Sequence, residues 1–184
     1  SGKDSLYQAL LNDADLKLKS VIPYTTRPMR SGETEGREYH FVSNEAFEQM
    51  KKEGRVVESR SYHTVHGIWN YFTADDGQIV AGKENYLLIG TLESYVSLKK
   101  YFGKEYVSPI YVEVDDGERL MRAVLREKEQ EEPKYAEMGR RYLADCEDFS
   151  KQRLMEAEIE ASYVNEKFED CFQKIKGDIL NRMC

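Results

Sequence analysis

The chain has 184 residues and a mass of 21.5 kDa, enough for one domain with a real hydrophobic core. A formal net charge of -7 with 33% charged residues argues against general nucleic-acid binding, which needs a basic face. No apolar run approaches the ~18–20 residues that span a bilayer, and no signal-peptide pattern opens the sequence.

In chain order, Leu6, Ala9 and Leu10 give helical spacing directly after Ser1-Gly2-Lys3-Asp4-Ser5. A short strand is expected around Leu18 to Ile22, then an arginine-bearing loop, then a strand over Tyr39 to Val42. Ser43 or Asn44 caps a helix carrying Phe47 and Met50, with Lys51 and Lys52 in its last turn and Gly54 as its stop. Arg55 to Arg60 reads as extended, and Tyr62 to Thr73 as aromatic and irregular, with a turn at Gly67. Tyr86 to Ile89 is the short apolar run of a doubly covered parallel strand, Val96 to Phe102 a helix, and Ile110 to Val114 another strand. Leu120, Met121 and Val124 give helical spacing, and the charged run Arg126 to Pro133 breaks it. A long polar helix is expected over Arg140 to Ile159, a strand at Ala161 to Val164, and a last helix around Phe168, Cys171, Phe172 and Ile175. Alternating strands and helices imply an α/β parallel sheet in a single domain, 1–184. The segments 24–75 and 126–141 fit that core poorly and read as appendages that move over a ligand. Cys146, Cys171 and Cys184, widely spaced and without CxxC, read as reduced thiols of a cytoplasmic protein. His40, His63 and His66 have no convincing further ligand nearby, so no metal site is expected from them.

The most informative stretch runs from Tyr24-Thr25-Thr26-Arg27-Pro28-Met29-Arg30-Ser31-Gly32-Glu33 to Gly36-Arg37-Glu38-Tyr39-His40-Phe41-Val42. A guanidinium presents a rigid fork of donors that matches a phosphate, and Arg27 with Arg30 is expected to hold a dianion from two sides. The Tyr39 hydroxyl adds a donor without adding charge.

This ordered pattern resembles the TTRxxRxGExxGxxYxFV segment of guanylate kinases, which grips the phosphate of GMP. The resemblance implies a P-loop NTPase-like parallel sheet with helices on both faces, a monophosphate-binding subdomain (24–75) and a lid (126–141). It implies transfer of the γ-phosphoryl group of ATP to GMP, with Mg2+ accompanying ATP. Arg27, Arg30, Tyr39 and Tyr71 would hold the acceptor phosphate, and Glu58 and Thr73 the guanine, whose N1–H and exocyclic amine one carboxylate accepts together. Ser1, Gly2, Lys3, Asp4 and Ser5 match the tail of a P-loop, with Asp4 where Ser or Thr is usual and as the candidate Mg2+ ligand. Arg126 and Arg141 would join Lys3 in neutralising the travelling phosphoryl group. The chain departs from the family in four places: Ile89-Gly90-Thr91 replaces Asp-Ile-Asp, Pro23 replaces a serine, Tyr71-Phe72-Thr73 lacks the usual glycine, and the run Glu127 to Glu137 is longer and more acidic. Thr91, grouped with the residues that would bind GMP, can supply a hydrogen bond but not a charge. A strand and glycine loop ahead of Ser1 are expected in the natural protein, and without them ATP binding should be poor. Two rival readings are a related ribose bisphosphate kinase and a non-catalytic guanylate-kinase-like module that holds a phosphorylated peptide.

Overall fold

The computed structural model describes residues 2–64 and 67–183. Ser1, His66 and Cys184 lie outside the described residues. The chain forms two compact units, Lys17–Ser108 (the central unit) and Ser1–Leu16 with Pro109–Cys184 (the terminal unit).

In the central unit, β1 (Lys19–Ser20) pairs in parallel with β6 (Tyr86–Leu87). A second sheet has the order β3-β2-β5-β4, built from β2 (Tyr24–Thr25), β3 (His40–Phe41), β4 (Val56–Thr64) and β5 (Gly67–Ala74). Strands β4 and β5 are antiparallel, with Glu58 opposite Thr73, Arg60 opposite Tyr71 and Tyr62 opposite Trp69. Of the expected irregular stretch Tyr62 to Thr73, residues 62–64 and 67–73 are instead paired antiparallel strand. Its aromatics sit on both faces, Phe72 buried and Tyr71 half-buried, so no apolar/polar alternation betrays the strand. Helix α2 (Asn44–Lys52) starts at Ser43, whose hydroxyl accepts from the Ala46 N–H, and ends before Gly54 at φ 71°. Its Phe47 and Met50 pack with Phe72 and Ala74, flanked by Tyr24, Val42 and Val56. Helix α3 (Leu92–Phe102) begins four residues earlier than expected, because Thr91 caps it through the Ser94 N–H.

The terminal unit holds α1 (Lys3–Asn12), β7 (Tyr111–Glu113), α4 (Asp116–Lys128), α5 (Tyr135–Asp148), α6 (Lys151–Glu156), β8 (Ser162–Val164) and α7 (Phe168–Met183). Strands β7 and β8 are parallel, while α1 packs on α7 and α4 on α5. Leu6, Leu10, Cys171 and Ile175 are buried, and Lys176 Nζ ties α7 to Asp13 and Asp15 at 2.8 and 2.6 Å. The charged run after Arg126 does not stop α4, which continues to Lys128 on the helix propensity of Glu and Lys. The single long helix expected over Arg140 to Ile159 is two helices, interrupted at Phe149 (φ -111°, ψ 30°) and restarted after Ser150. Gly2 precedes α1 at φ 77°, and a Cβ there would lie 2.7 Å from the Asn165 amide nitrogen, so only glycine fits. Among the described residues, no helix is long and apolar enough to cross a membrane.

Candidate functional site

The two threonines ahead of Arg27 anchor its loop to β5. Thr25 is fully buried and donates to the Asn70 carbonyl at 2.9 Å, the Thr26 N–H reaches the same oxygen, and the Asn70 N–H returns to the Thr26 hydroxyl. Arg27 follows with its side chain 3% exposed. Its two terminal nitrogens hold the Glu33 carboxylate at 2.7 and 2.5 Å, Nη1 also donates to the Pro28 carbonyl, and its Nε is buried without a hydrogen bond. The guanidinium lies 5.1 Å from the centre of the Tyr39 ring and 5.4 Å from that of Phe41. Held by Arg27 and by the Arg30 N–H, the Glu33 carboxyl is lowered to about 2. Arg30 itself is exposed. The structure therefore differs from the expected pair of equivalent forks: one guanidinium is buried and locked, and the other stands at the rim. The glutamate of the Gly-Glu turn, given no task from the sequence, is what locks the first.

Tyr39 meets Tyr71 edge-on at 5.6 Å, and Tyr62 stands 5.5 Å from Tyr71 on its other side. Burial pushes the Tyr39 phenol up and Tyr71 adds to that, while the charges of Arg27 and Arg60 pull it back. Arg27, Tyr39, Tyr71 and Arg60 are thus one neighbourhood.

Two residues along β4 lies Glu58, 6% exposed. Its Oε1 accepts from the Thr73 hydroxyl at 2.9 Å, and its Oε2 accepts from the Ser94 hydroxyl at 3.2 Å and lies 3.3 Å from Arg60 Nε. Thr91 stands behind Ser94, with their hydroxyl oxygens 3.1 Å apart. Glu58, Thr73 and Thr91 are therefore brought together, with Ser94 completing the chain from Thr91 to the carboxylate. Ser94 and Arg60 were not among the residues singled out from the sequence. The Thr91-x-x-Ser94 spacing of a helix cap was the available signal for Ser94, and the placement of Arg60 two residues from Glu58 on the same strand face was the signal for Arg60.

In the terminal unit the predicted residues stand differently. Lys3 Nζ pairs with Asp4 at 3.1 Å, both well exposed, and Ser5 shares that first turn of α1. Arg126 is exposed near the end of α4. Arg140 and Arg141 both hold Glu137 at 2.8 Å and lower its carboxyl to about 2. Arg119, in contrast, is half-buried: it donates to Cys146 Sγ at 2.8 Å, lies 3.1 Å from Asp116, and covers the Tyr142 ring at 4.8 Å, pinning α4 to α5. Cys146 and Cys171 are free thiols. Among the described residues no group of three or more His, Cys, Asp or Glu side chains is arranged to hold a metal ion. A Mg2+ that arrives on nucleotide phosphates needs only one or two protein oxygens besides water, and Asp4 with Ser5 supplies that many.

Residues 1–80 match the guanylate kinase family model. The chain is 37% identical over 82 residues to the guanylate kinase of Aliivibrio fischeri, covering 42% of this chain and 40% of that protein. It is 29% identical over 180 residues to Protein PALS1 of Danio rerio, covering 95% of this chain and 24% of that protein. The chain thus spans well under half the length of either relative. Its fold matches the crystal structure of guanylate kinase from Anaplasma phagocytophilum with a TM-score of 0.63 over 96% of this chain and 79% of that one, at 21% identity. The fold is accordingly the α/β fold of that structure. Residues 1–80 thus carry the sequence similarity to the guanylate kinase family.

Proposed function

We propose that the protein is a cytoplasmic guanylate kinase working as a single domain over 1–184, with 24–75 as the GMP-binding segment and 126–141 as the lid. A phosphate oxygen of GMP attacks the γ-phosphorus of ATP, the bond from that phosphorus to the β–γ bridging oxygen breaks, and GDP and ADP result. The attacking phosphate is already an anion, so no general base is required, and catalysis reduces to positioning and charge neutralisation. Arg27, Arg30, Tyr39 and Tyr71 hold the acceptor phosphate. Glu58, with Thr73 and Thr91, reads the guanine edge. Lys3, Arg126 and Arg141 neutralise the transferred group, and Ser1, Gly2, Lys3, Asp4 and Ser5 line the ATP phosphates. Asp4 would hold the Mg2+ that accompanies ATP, and the ion would supply charge neutralisation at the phosphates.

The observation that carries this reading is the buried Glu58 carboxylate, held on both oxygens by hydroxyls that rotate. A carboxylate fixed in this way accepts two adjacent N–H donors, which guanine offers, whereas adenine presents a ring nitrogen lone pair at that place. The test is ADP formation from ATP in the presence of GMP, of AMP, or of neither. Dependence on GMP supports the proposal. Equal turnover with AMP defeats it, and GMP binding with no ADP formed by a protein that also carries the expected upstream strand and glycine loop moves the binding-module reading ahead.

A further inference from the structure

The residue left unexplained on the acceptor face is Arg60. Its side chain is 21% exposed, yet it makes no hydrogen bond among the described residues. Nε sits 3.3 Å from Glu58 Oε2 as an ion pair, out of line for a hydrogen bond, and is buried without a partner. Glu58 needs little from it, since Thr73 and Ser94 already donate to its two oxygens. A largely buried guanidinium with unused donors is costly unless something supplies acceptors.

The register says where those acceptors would be. Arg60 faces Tyr71 across the hairpin, while Glu58 faces Thr73, so along β4 the base reader comes first and Arg60 follows on the side of the phosphate tyrosines. Tyr39 lies close enough to feel the charges of both Arg60 and Arg27. Arg27, for its part, spends both terminal nitrogens on Glu33 and leaves a buried Nε unpartnered. One committed and one uncommitted guanidinium therefore flank one pair of phenols. We infer that Arg60 is a direct ligand of the acceptor's phosphate, a specificity-determining residue that supplies the donors Arg27 has committed to Glu33. With the acceptor bound, Arg60 donates to phosphate oxygens and keeps its charge beside Glu58 Oε2, joining the base-reading and phosphate-holding halves of the site. This inference rests on the acceptor reading above but does not depend on the base being guanine.

The experiment follows the Arg60 Nε–H resonance, assigned by its absence from Arg60→Lys, in the unaltered protein titrated with GMP, guanosine and inorganic phosphate. The expected result is a shift with GMP and with phosphate and none with guanosine, together with a roughly tenfold to hundredfold loss of GMP affinity in Arg60→Ala and undiminished guanosine affinity. A shift of equal size with guanosine, or equal loss of GMP and guanosine affinity in the variant, overturns it and leaves Arg60 as a positioning residue for Glu58. No shift with any probe overturns it as well. If phosphate moves the resonance while GMP binds no better than AMP, the guanylate kinase reading fails and the phosphate role of Arg60 stands.

Discussion

The candidate groups of the two units are built differently. In the central unit, Arg27, Glu58, Thr73 and Ser94 are all buried; Ser94 reaches Glu58 across 36 positions and Thr73 reaches it across 15, while Arg27 is held by Glu33 six positions away. In the terminal unit, Lys3, Arg126 and Arg141 are exposed, and the contacts of Lys3 and Arg141 are to neighbours one or four residues away. A site that must tell one base from another needs donors and acceptors held still and dry, because an unpaired buried group is what penalises the wrong ligand. The match to the family model ends at residue 80 and so covers Arg27, Glu58 and Thr73 but not Ser94.

The largest effect is expected where that contrast is sharpest. Glu58→Gln replaces an acceptor-only group with one that donates on one side, so it can no longer accept from both the guanine N1–H and the amine. GMP-over-AMP preference, read as a ratio of dissociation constants by calorimetry, should fall about a hundredfold, the equivalent of ~3 kcal/mol. An unchanged ratio would mean the base is read elsewhere.

Next comes the lock on the phosphate arginine. Glu33→Gln leaves Arg27 without its two charge-assisted bonds, and GMP affinity should drop roughly tenfold while guanosine affinity holds. The pH dependence has a definite sign. The folded carboxyl sits at about 2, below its ordinary 4.5, so its stabilisation is complete above 4.5 and is lost as pH falls from 4.5 toward 2. The variant should show a flatter acid limb in denaturation midpoints over that window.

Ser94→Ala should be milder. It removes one hydroxyl from Glu58 Oε2 and one neighbour from Thr91, with Thr73 still holding Oε1. A stability loss of about 1–2 kcal/mol in urea is expected, with GMP affinity down several-fold. A loss of GMP affinity matching that of Glu58→Gln would show that the Thr91–Ser94 chain, rather than Thr73, sets the carboxylate's position.

Legibility in the sequence followed the same division. Helix α2 was readable to the residue because Ser43, the Phe47/Met50 stripe, the terminal lysines and Gly54 all speak locally. The arginine loop was readable as a pattern, but not the burial of Arg27, which depends on Glu33 and on Thr25 reaching Asn70. Strand β5 was missed because its aromatics serve the core on one face and the site on the other. The break at Phe149 was missed because composition on both sides is equally helical, and a serine cap is a weak local signal against that background. Thr91 stands 3.1 Å from the Ser94 hydroxyl, and Ser94, a serine the family pattern did not point to, donates to Glu58.

The smallest expected effect tests the exposed half. Glu137 shares with Glu33 a carboxyl lowered to about 2, and it too is held by arginines. Its partners differ in surroundings: the Arg140 and Arg141 side chains are 66% and 72% exposed, against 3% for Arg27. Water and salt screen such pairs, and ordering two long side chains offsets the attraction. Glu137→Gln should therefore leave the urea midpoint unchanged at neutral pH, and added 0.5 M salt (roughly a 4 Å screening length) should not separate variant from parent. It should also release Arg141, so turnover with ATP and GMP should stay level or rise slightly, whereas Arg141→Ala lowers kcat without moving GMP affinity. A midpoint shift in Glu137→Gln as large as that of Glu33→Gln at the same pH would erase the distinction between a locked half and an exposed one. In that event the low carboxyl, rather than the burial of its arginine, would be the feature that matters.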